Sequence, residues 1–314
     1  INASRGLGVG PWRSFFKIAF PMALPALITG ISLMCMEVMN ELGTFALLNI
    51  PSISTGIAEN WIIEGNPKSA IGLSLVALLI IFTLIIFEKF SRRKSKRWSE
   101  NPASKDSQGW ELKKTRALLA LTISLFPPIF SFGIPCFWVL LNIDQIQKGL
   151  SIELLTLSFR TIGLGFFTAF ITMLFSLIIS LSRRPNKSLF LGIITNLAGI
   201  GYAIPGTVLA LSLISISSSR FNFIAICLLI WGYLVRFLTI SKGSIDSSLE
   251  RISPSLDEAA LGLGEDWLGI IKRIHLPLLQ GPIFVGSLLV FVDTIKELPI
   301  TFILRPFDFD TLSV

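Results

Sequence analysis

The chain has 314 residues, 52% of them hydrophobic and 15% charged, with a mean hydropathy of +0.72. Soluble domains carry about 25% charged residues, so these figures exclude an ordinary water-soluble enzyme or binding module. They indicate a membrane chain, for which length is no guide to domain count. The formal charge of +7 invites a nucleic-acid reading, but the charges follow membrane topology instead.

No secretory signal is visible, and Ile1 falls inside an amphipathic stretch, so the expectation is a fragment whose start lies elsewhere. A membrane-crossing helix needs about 20 mostly apolar residues. Seven candidates follow along the chain, over 24–48, 71–87, 118–140, 154–181, 189–216, 221–240 and 282–304. The third contains Pro127, Pro128 and Pro135 and is expected to be kinked or broken, because proline removes backbone donors. Cys35, Cys136 and Cys227 each lie in an apolar run without metal-type spacing, which reads as small apolar filler.

Lysines and arginines between the spans sort sharply. The stretches 1–19, 88–117, 182–188 and 241–280 hold 20 of the 27, whereas the opposite loops hold three, Lys68, Lys148 and Arg220. By the positive-inside rule the basic loops are cytoplasmic. The polar stretch from Glu88 to Arg116 reads either as a patch for nucleic acid or lipid, or as a cytoplasmic linker resting on anionic headgroups. Topology alone already demands its charge, which favours the linker.

A repeat runs through the chain at an ungapped offset of 256 residues. Ala3, Gly6, Leu7 and Gly8 recur as Ala259, Gly262, Leu263 and Gly264, and Ile18 and Pro21 as Ile274 and Pro277. Gly30 and Leu33 recur as Gly286 and Leu289, Glu37 as Asp293, and Glu41 and Leu42 as Glu297 and Leu298. Each copy reads as a short cytoplasmic amphipathic helix, a turn, a basic strip, a proline and a span with acids in its middle. In the second copy Leu256, Ala259, Ala260 and Leu263 share one helical face. Its N-terminus is either Ser253 and Pro254 as N-cap and N1, or a capping box of Ser255 and Glu258. Asp257 and Glu258 suit the positive end of the helix dipole. With acids at its start and few aromatics, this helix reads as a docking element for a partner rather than one lying on lipid.

Glu258, Ala259 and Ala260, then Gly264, then Ile274, His275, Leu276 and Pro277 have the spacing of the EAA loop and resemble the coupling region of ABC importer permeases. In the first copy Asn2, Ala3 and Ser4 stand in place of Glu-Ala-Ala, while Gly8, Ile18 and Pro21 are kept. The stretches 201–210, 233–237, 251–260, 296–299 and 304–307, with 37–44 and 54–57, are similar to the fused two-half permeases of ferric-iron importers. The resemblance covers essentially the whole chain, and thiamine permeases are near relatives.

The resemblance implies an all-α polytopic membrane protein of the type I ABC importer fold, with about seven of an expected twelve spans present. It divides the chain into the end of a first half (1–90), a basic cytoplasmic linker (91–117) and most of a second half (118–314). It implies a bacterial inner-membrane location with cytoplasmic coupling loops, a cytoplasmic ABC ATPase dimer and an extracytoplasmic substrate-binding protein as partners, and no nucleic acid. ATP and magnesium belong to the ATPase, and this chain is expected to bind no cofactor and to be no enzyme. Coupling falls to Glu258, Ala259, Ala260, Gly264, Ile274 and Pro277, with Ala3, Gly8 and Pro21 in the first copy. The cargo implied is ferric iron, with thiamine or another small solute as the alternative.

Charges inside spans are costly and mark functional candidates. Glu37 and Glu41 are four residues apart and expected on one helix face, as are Asp293 and Glu297. Asp293 lies roughly 18 Å along a helix from Gly281, near mid-membrane. These acids either line a cation's path, carboxylates suiting a hard cation, or bond to Lys296 and to backbone freed by Pro299. No metal ligand set is assigned. No G-x-x-x-x-G-K-[ST] loop occurs, and His275, the single histidine, lacks partners for a catalytic triad or a metal site. An ion-driven secondary transporter, using the membrane acids for coupling, and a membrane scaffold without transport remain open. The exposed coupling helix separates the ATP-driven reading from both.

Overall fold

The computed structural model describes residues 8, 10–95, 112, 114–144, 151–185, 188–216 and 222–314. Among them every regular element is a helix. They form two compact units, one made of 1–95 with 158–314 and the other of 96–157. The basic linker falls largely outside the described residues, as does Ala3.

The first unit opens with α1 (Pro11–Ser14), a π-turn (Phe15–Ala19), α2 (Phe20–Asn40), α3 (Gly43–Leu47), α4 (Ile53–Ala58) and α5 (Pro67–Ser95). In the second unit α6 (Thr115–Pro128) and α7 (Ile134–Leu141) flank a π-turn at Ile129–Gly133. The chain continues with α8 (Ile152–Arg183), α9 (Leu189–Leu197), α10 (Gly206–Ile216), α11 (Asn222–Leu249) and α12 (Pro254–Gly262). It ends with α13 (Trp267–Ile270), a π-turn (Ile271–His275), α14 (Leu276–Lys296) and α15 (Pro299–Leu304).

Five helical stretches are long and apolar enough to cross a membrane, at 67–87, 115–141, 152–183, 224–249 and 267–296. Two expected spans are composite. The stretch 24–48 is helical to Asn40, breaks, and resumes as α3. The stretch 189–216 is cut between α9 and α10 by Gly199, Gly201 and Pro205. The proline-rich third span stays helical, with Pro127 and Pro128 inside α6 and a π-turn placed just before Pro135. A proline ring clashes with the carbonyl four residues back, and a π-turn widens that preceding turn. Three π-turns end two residues before a proline, at Pro21, Pro135 and Pro277.

The core lies where α8, α11 and α14 pack. Gly165 touches Phe291 closely enough that an added Cβ would sit 3.0 Å from its ring, and a Cβ on Gly286 would meet the Met173 methyl at 2.7 Å. Small residues at such contacts let membrane helices approach. Ser176 and Ser241 are hydrogen-bonded across α8 and α11. Helix α10 sits between α4 and α5 on one side and α15 on the other. Val208 and Leu211 pack with Ile57, Ala70 and Ala77, while Leu209 and Ala210 pack with Ile300 and Leu304. Outward faces are apolar, as on α5 at Leu79 and Phe82, which suits lipid. The three cysteines are free and exposed rather than packed in the core.

Candidate functional site

The repeat seen in the sequence is a repeat of backbone geometry. At the same offset of 256, the bounds of α1 coincide with those of α13, those of the first π-turn with the last, and those of α2 with α14. Gly8 and Gly264 both have left-handed φ, +76° and +87°. Gly264 ends α12, with the Glu265 N–H donating to the Ala260 carbonyl at 3.1 Å, the six-to-one bond of a glycine C-cap. Pro21 and Pro277 are the second residues of α2 and α14.

Helix α12 starts at Ser253, whose hydroxyl accepts from the Ser255 N–H, with Pro254 at N1. This decides between the two N-termini the sequence left open. The face the sequence grouped for docking is divided. Ala260 is buried, whereas Ala259, Leu256 and Leu263 are exposed, the two leucines to 46% and 87%, and beside that face Glu258 and Leu261 (53%) are exposed as well. The single-helix pattern could not tell which side the rest of the chain covers. That covered side is held by Asp257, which lies against Arg184 and His275. Ile274 is half-buried in the π-turn and Pro277 is exposed. A groove of about 960 Å³ runs beside α12, lined by Arg184, Leu189, Ile193, Ile252, Leu261 and Trp267.

The four candidate acids do not form two equivalent pairs. Because α2 ends at Asn40 and α14 at Lys296, Glu41 and Glu297 lie beyond the helix ends and share no face with Glu37 and Asp293. Both have extended backbone, and each carboxylate caps the next short helix. Glu41 accepts from the Thr44 N–H at 2.9 Å and Glu297 from the Ile300 N–H at 3.4 Å. Glu37 and Asp293 converge on Lys296, whose ammonium is 3.2 Å from Glu37 and 2.9 Å from Asp293. The Tyr202 hydroxyl donates to the other oxygen of Glu37 at 2.7 Å. Lys296 is exposed.

A buried junction adjoins this cluster, and its centre, Arg236, was visible in the sequence only as one charge inside a span. Arg236 is midway along α11 and 2% exposed. Its Nη1 donates to the Asn40 side-chain oxygen at 2.8 Å and to the Ile204 carbonyl at 3.3 Å. Its Nε lies 3.3 Å from Glu297 Oε2 without hydrogen-bond alignment. The rings of Tyr202 and Phe237 flank it.

The junction also satisfies the break between α9 and α10. The Gly206 N–H donates to Asn40 at 2.6 Å, the Tyr202 N–H to the Thr239 hydroxyl at 3.3 Å, and that hydroxyl to the Ala198 carbonyl at 3.2 Å. Irregular backbone survives at membrane depth only when buried and paired in this way. Contact is tight. A Cβ on Gly206 would sit 2.6 Å from Glu297, and one on Gly201 would sit 1.9 Å from the Val235 carbonyl. The break has a sequence signal, Gly199, Gly201 and Pro205 within a continuous apolar run.

Residues 1–96 match the family of binding-protein-dependent transport system inner membrane components. The whole chain is also 27% identical, over 326 aligned positions, to the Fe(3+)-transport system permease protein FbpB 2 of Haemophilus influenzae. It spans 63% of that protein's length. The two likenesses bear out the resemblance to ABC importer permeases of the ferric-iron type, and with the apolar helices they describe a multi-pass membrane protein. The family match falls on the copy whose Glu-Ala-Ala is worn, while the fuller motif stands in the other copy.

Proposed function

We propose that the chain is the membrane-spanning permease of an ATP-driven importer of ferric iron, with cytoplasmic arms that dock on an ATPase dimer. The observation that carries this reading is helix α12, which leaves Leu256, Leu261 and Leu263 uncovered beside Glu258 and Ala259. Burying one leucine side chain is worth about 1.5–3 kcal/mol, so three form a sufficient anchor for a groove in a partner. The first arm, with Gly8 and Pro21 in the same geometry, is the second contact. The two halves of the permease correspond to the two copies and are joined by the basic linker. Glu37, Asp293 and Lys296, exposed to one another between the copies, are the candidate lining of the cargo's path. Glu41 and Glu297 hold helix ends. The name of the Haemophilus relative supplies the cargo, delivered by a binding protein on the other face.

The test is reconstitution of the chain in its full-length context with its genomically neighbouring ATPase and binding protein. Leu261→Asp and Glu258→Ala are expected to lose co-purification of the ATPase, and vesicles with the unaltered chain are expected to take up ferric iron when ATP is supplied. An unaltered chain that retains no ATPase would sink the ATP-driven reading. Uptake of thiamine but not iron would keep the permease and replace its cargo.

A further inference from the structure

The second arm carries a feature that docking does not require. On the covered side of α12, Asp257 is 8% exposed. The Arg184 Nε donates to Asp257 Oδ2 at 2.5 Å. The same guanidinium donates through Nη1 to the Leu249 carbonyl at 2.9 Å, and through Nη2 to the carbonyls of Ile252 at 2.9 Å and Ser253 at 3.3 Å. Arg184 directly follows α8, Leu249 ends α11, and Ser253 is the N-cap of α12. One planar cation therefore joins the ends of two membrane helices to the first turn of the exposed helix. It also supplies donors to carbonyls left over where α11 ends, where a cation is favoured.

A third membrane helix reaches the same carboxylate. His275, in the π-turn that leads into α14, is fully buried. Its Nε2 is 3.2 Å from Asp257 Oδ1 without hydrogen-bond alignment, and its ring lies 5.7 Å from that of Trp267. Beneath the cluster, Met173 and Leu181 of α8, Ile245 and Leu249 of α11, and Leu279 of α14 form one apolar core. The polar clasp is therefore bolted to helices already packed as a unit. Its counterpart is missing from the first copy. At the offset of 256, Asp257 corresponds to Ile1 and His275 to Ala19, neither of which carries a charge.

We propose that Asp257, held by Arg184 and packed against His275, is a positioning residue that makes α12 a rigid lever on α8, α11 and α14, so that the second arm transmits ATPase motion while the first arm serves mainly as an anchor. The inference rests on the ATP-driven reading above. A helix docked by its leucines but tied to the chain only by its two ends would follow the ATPase without moving the membrane helices. The buried clasp removes that slack. The fork of arginine is required, because a lysine ammonium cannot engage a carboxylate and three carbonyls in one plane.

The experiment compares unaltered, Asp257→Asn and Arg184→Lys complexes, each with the cognate ATPase, in vesicles. Three quantities are read: ATPase retained, ATP hydrolysed, and iron taken up per ATP. Both variants are expected to retain the ATPase and to hydrolyse ATP, while uptake per ATP falls about tenfold, within the range by which substitutions along a coupling route alter coupling. Uptake per ATP unchanged in a variant that retains the ATPase overturns the clasp and leaves the permease reading intact. Loss of the folded complex in both variants also overturns it, since the cluster then serves folding. If the unaltered chain retains no ATPase, the permease reading itself has failed, and that outcome is separate from either of the others.

Discussion

The two copies of the repeat differ where their backbones do not. Helix, π-turn, proline, long helix, break and short helix coincide at every step of the 256-residue offset, and the left-handed glycine is kept in both. The chemistry attached to that backbone has diverged. Asn2 faces Glu258 across the offset, Ala19 faces His275, Asn40 faces Lys296, and Gly43 faces Pro299. Conformational punctuation is thus common to both arms, because any such arm needs the same turn and the same kink. Side-chain charge has specialised one arm, and the charges at the far ends of α2 and α14 cross-link the copies instead of serving each separately.

The largest expected effect comes from breaking that cross-link. Arg236 holds Asn40 of the first copy and lies against Glu297 of the second. Arg236→Met would leave a buried carboxylate without its counter-charge and the Ile204 carbonyl without its donor. Removing one partner of a buried pair costs about 3–5 kcal/mol, so the variant should show a large fall in thermal stability in detergent and a low yield in membranes. Adding Glu297→Gln should restore part of the loss, because the stranded charge goes with it. A double variant no better than the single one would mean that packing, not charge, sets the cost.

A smaller effect should test whether the arms share geometry but not role. Gly8→Ala and Gly264→Ala each force a Cβ into left-handed backbone, and in neither case does the added atom meet a neighbour within 4 Å. The cost is then conformational, about 1–2 kcal/mol at each site. The two variants should lose similar thermal stability, yet Gly264→Ala should lower iron uptake more, because its arm carries the full motif and the clasp. Equal losses of uptake would make the arms functionally alike.

Much of this was legible in the sequence, and the failures have physical causes. The offset, the special glycines and the long helices α5, α8 and α11 could be read from local pattern, since turns and apolar length are local properties. The break at 198–205 was hidden because hydropathy measures transfer into lipid and not helix continuity, so an apolar glycine- and proline-bearing stretch scores like a helix. Arg236 is one basic residue within the apolar stretch 221–240, but its partners Asn40, Ile204 and Glu297 lie on three other segments, which no local spacing joins. The acids were misgrouped for a related reason. A spacing of four places two residues on one face only while the helix lasts, and both helices stop one residue before the second acid.

The smallest stability effect, and the finest discrimination, belongs to Lys296. It pairs with Glu37 of one copy and Asp293 of the other, as Arg236 joins the copies, but it is exposed where Arg236 is buried. Exposed pairs contribute about 0–1 kcal/mol, so Lys296→Met should leave the thermal transition close to that of the unaltered chain. Uptake should respond nonetheless. With the ammonium gone, two carboxylates face the space between the copies without a counter-charge, and a cation in transit would be held more tightly and released more slowly, contrary to what passage requires. Iron uptake is therefore expected to fall severalfold in Lys296→Met. It should recover in Lys296→Met with Asp293→Asn, which removes one negative charge along with the positive one. A stability loss as large as that of Arg236→Met would show that Lys296 belongs to the buried junction. Unchanged uptake in the single variant would take Glu37 and Asp293 out of the cargo's path.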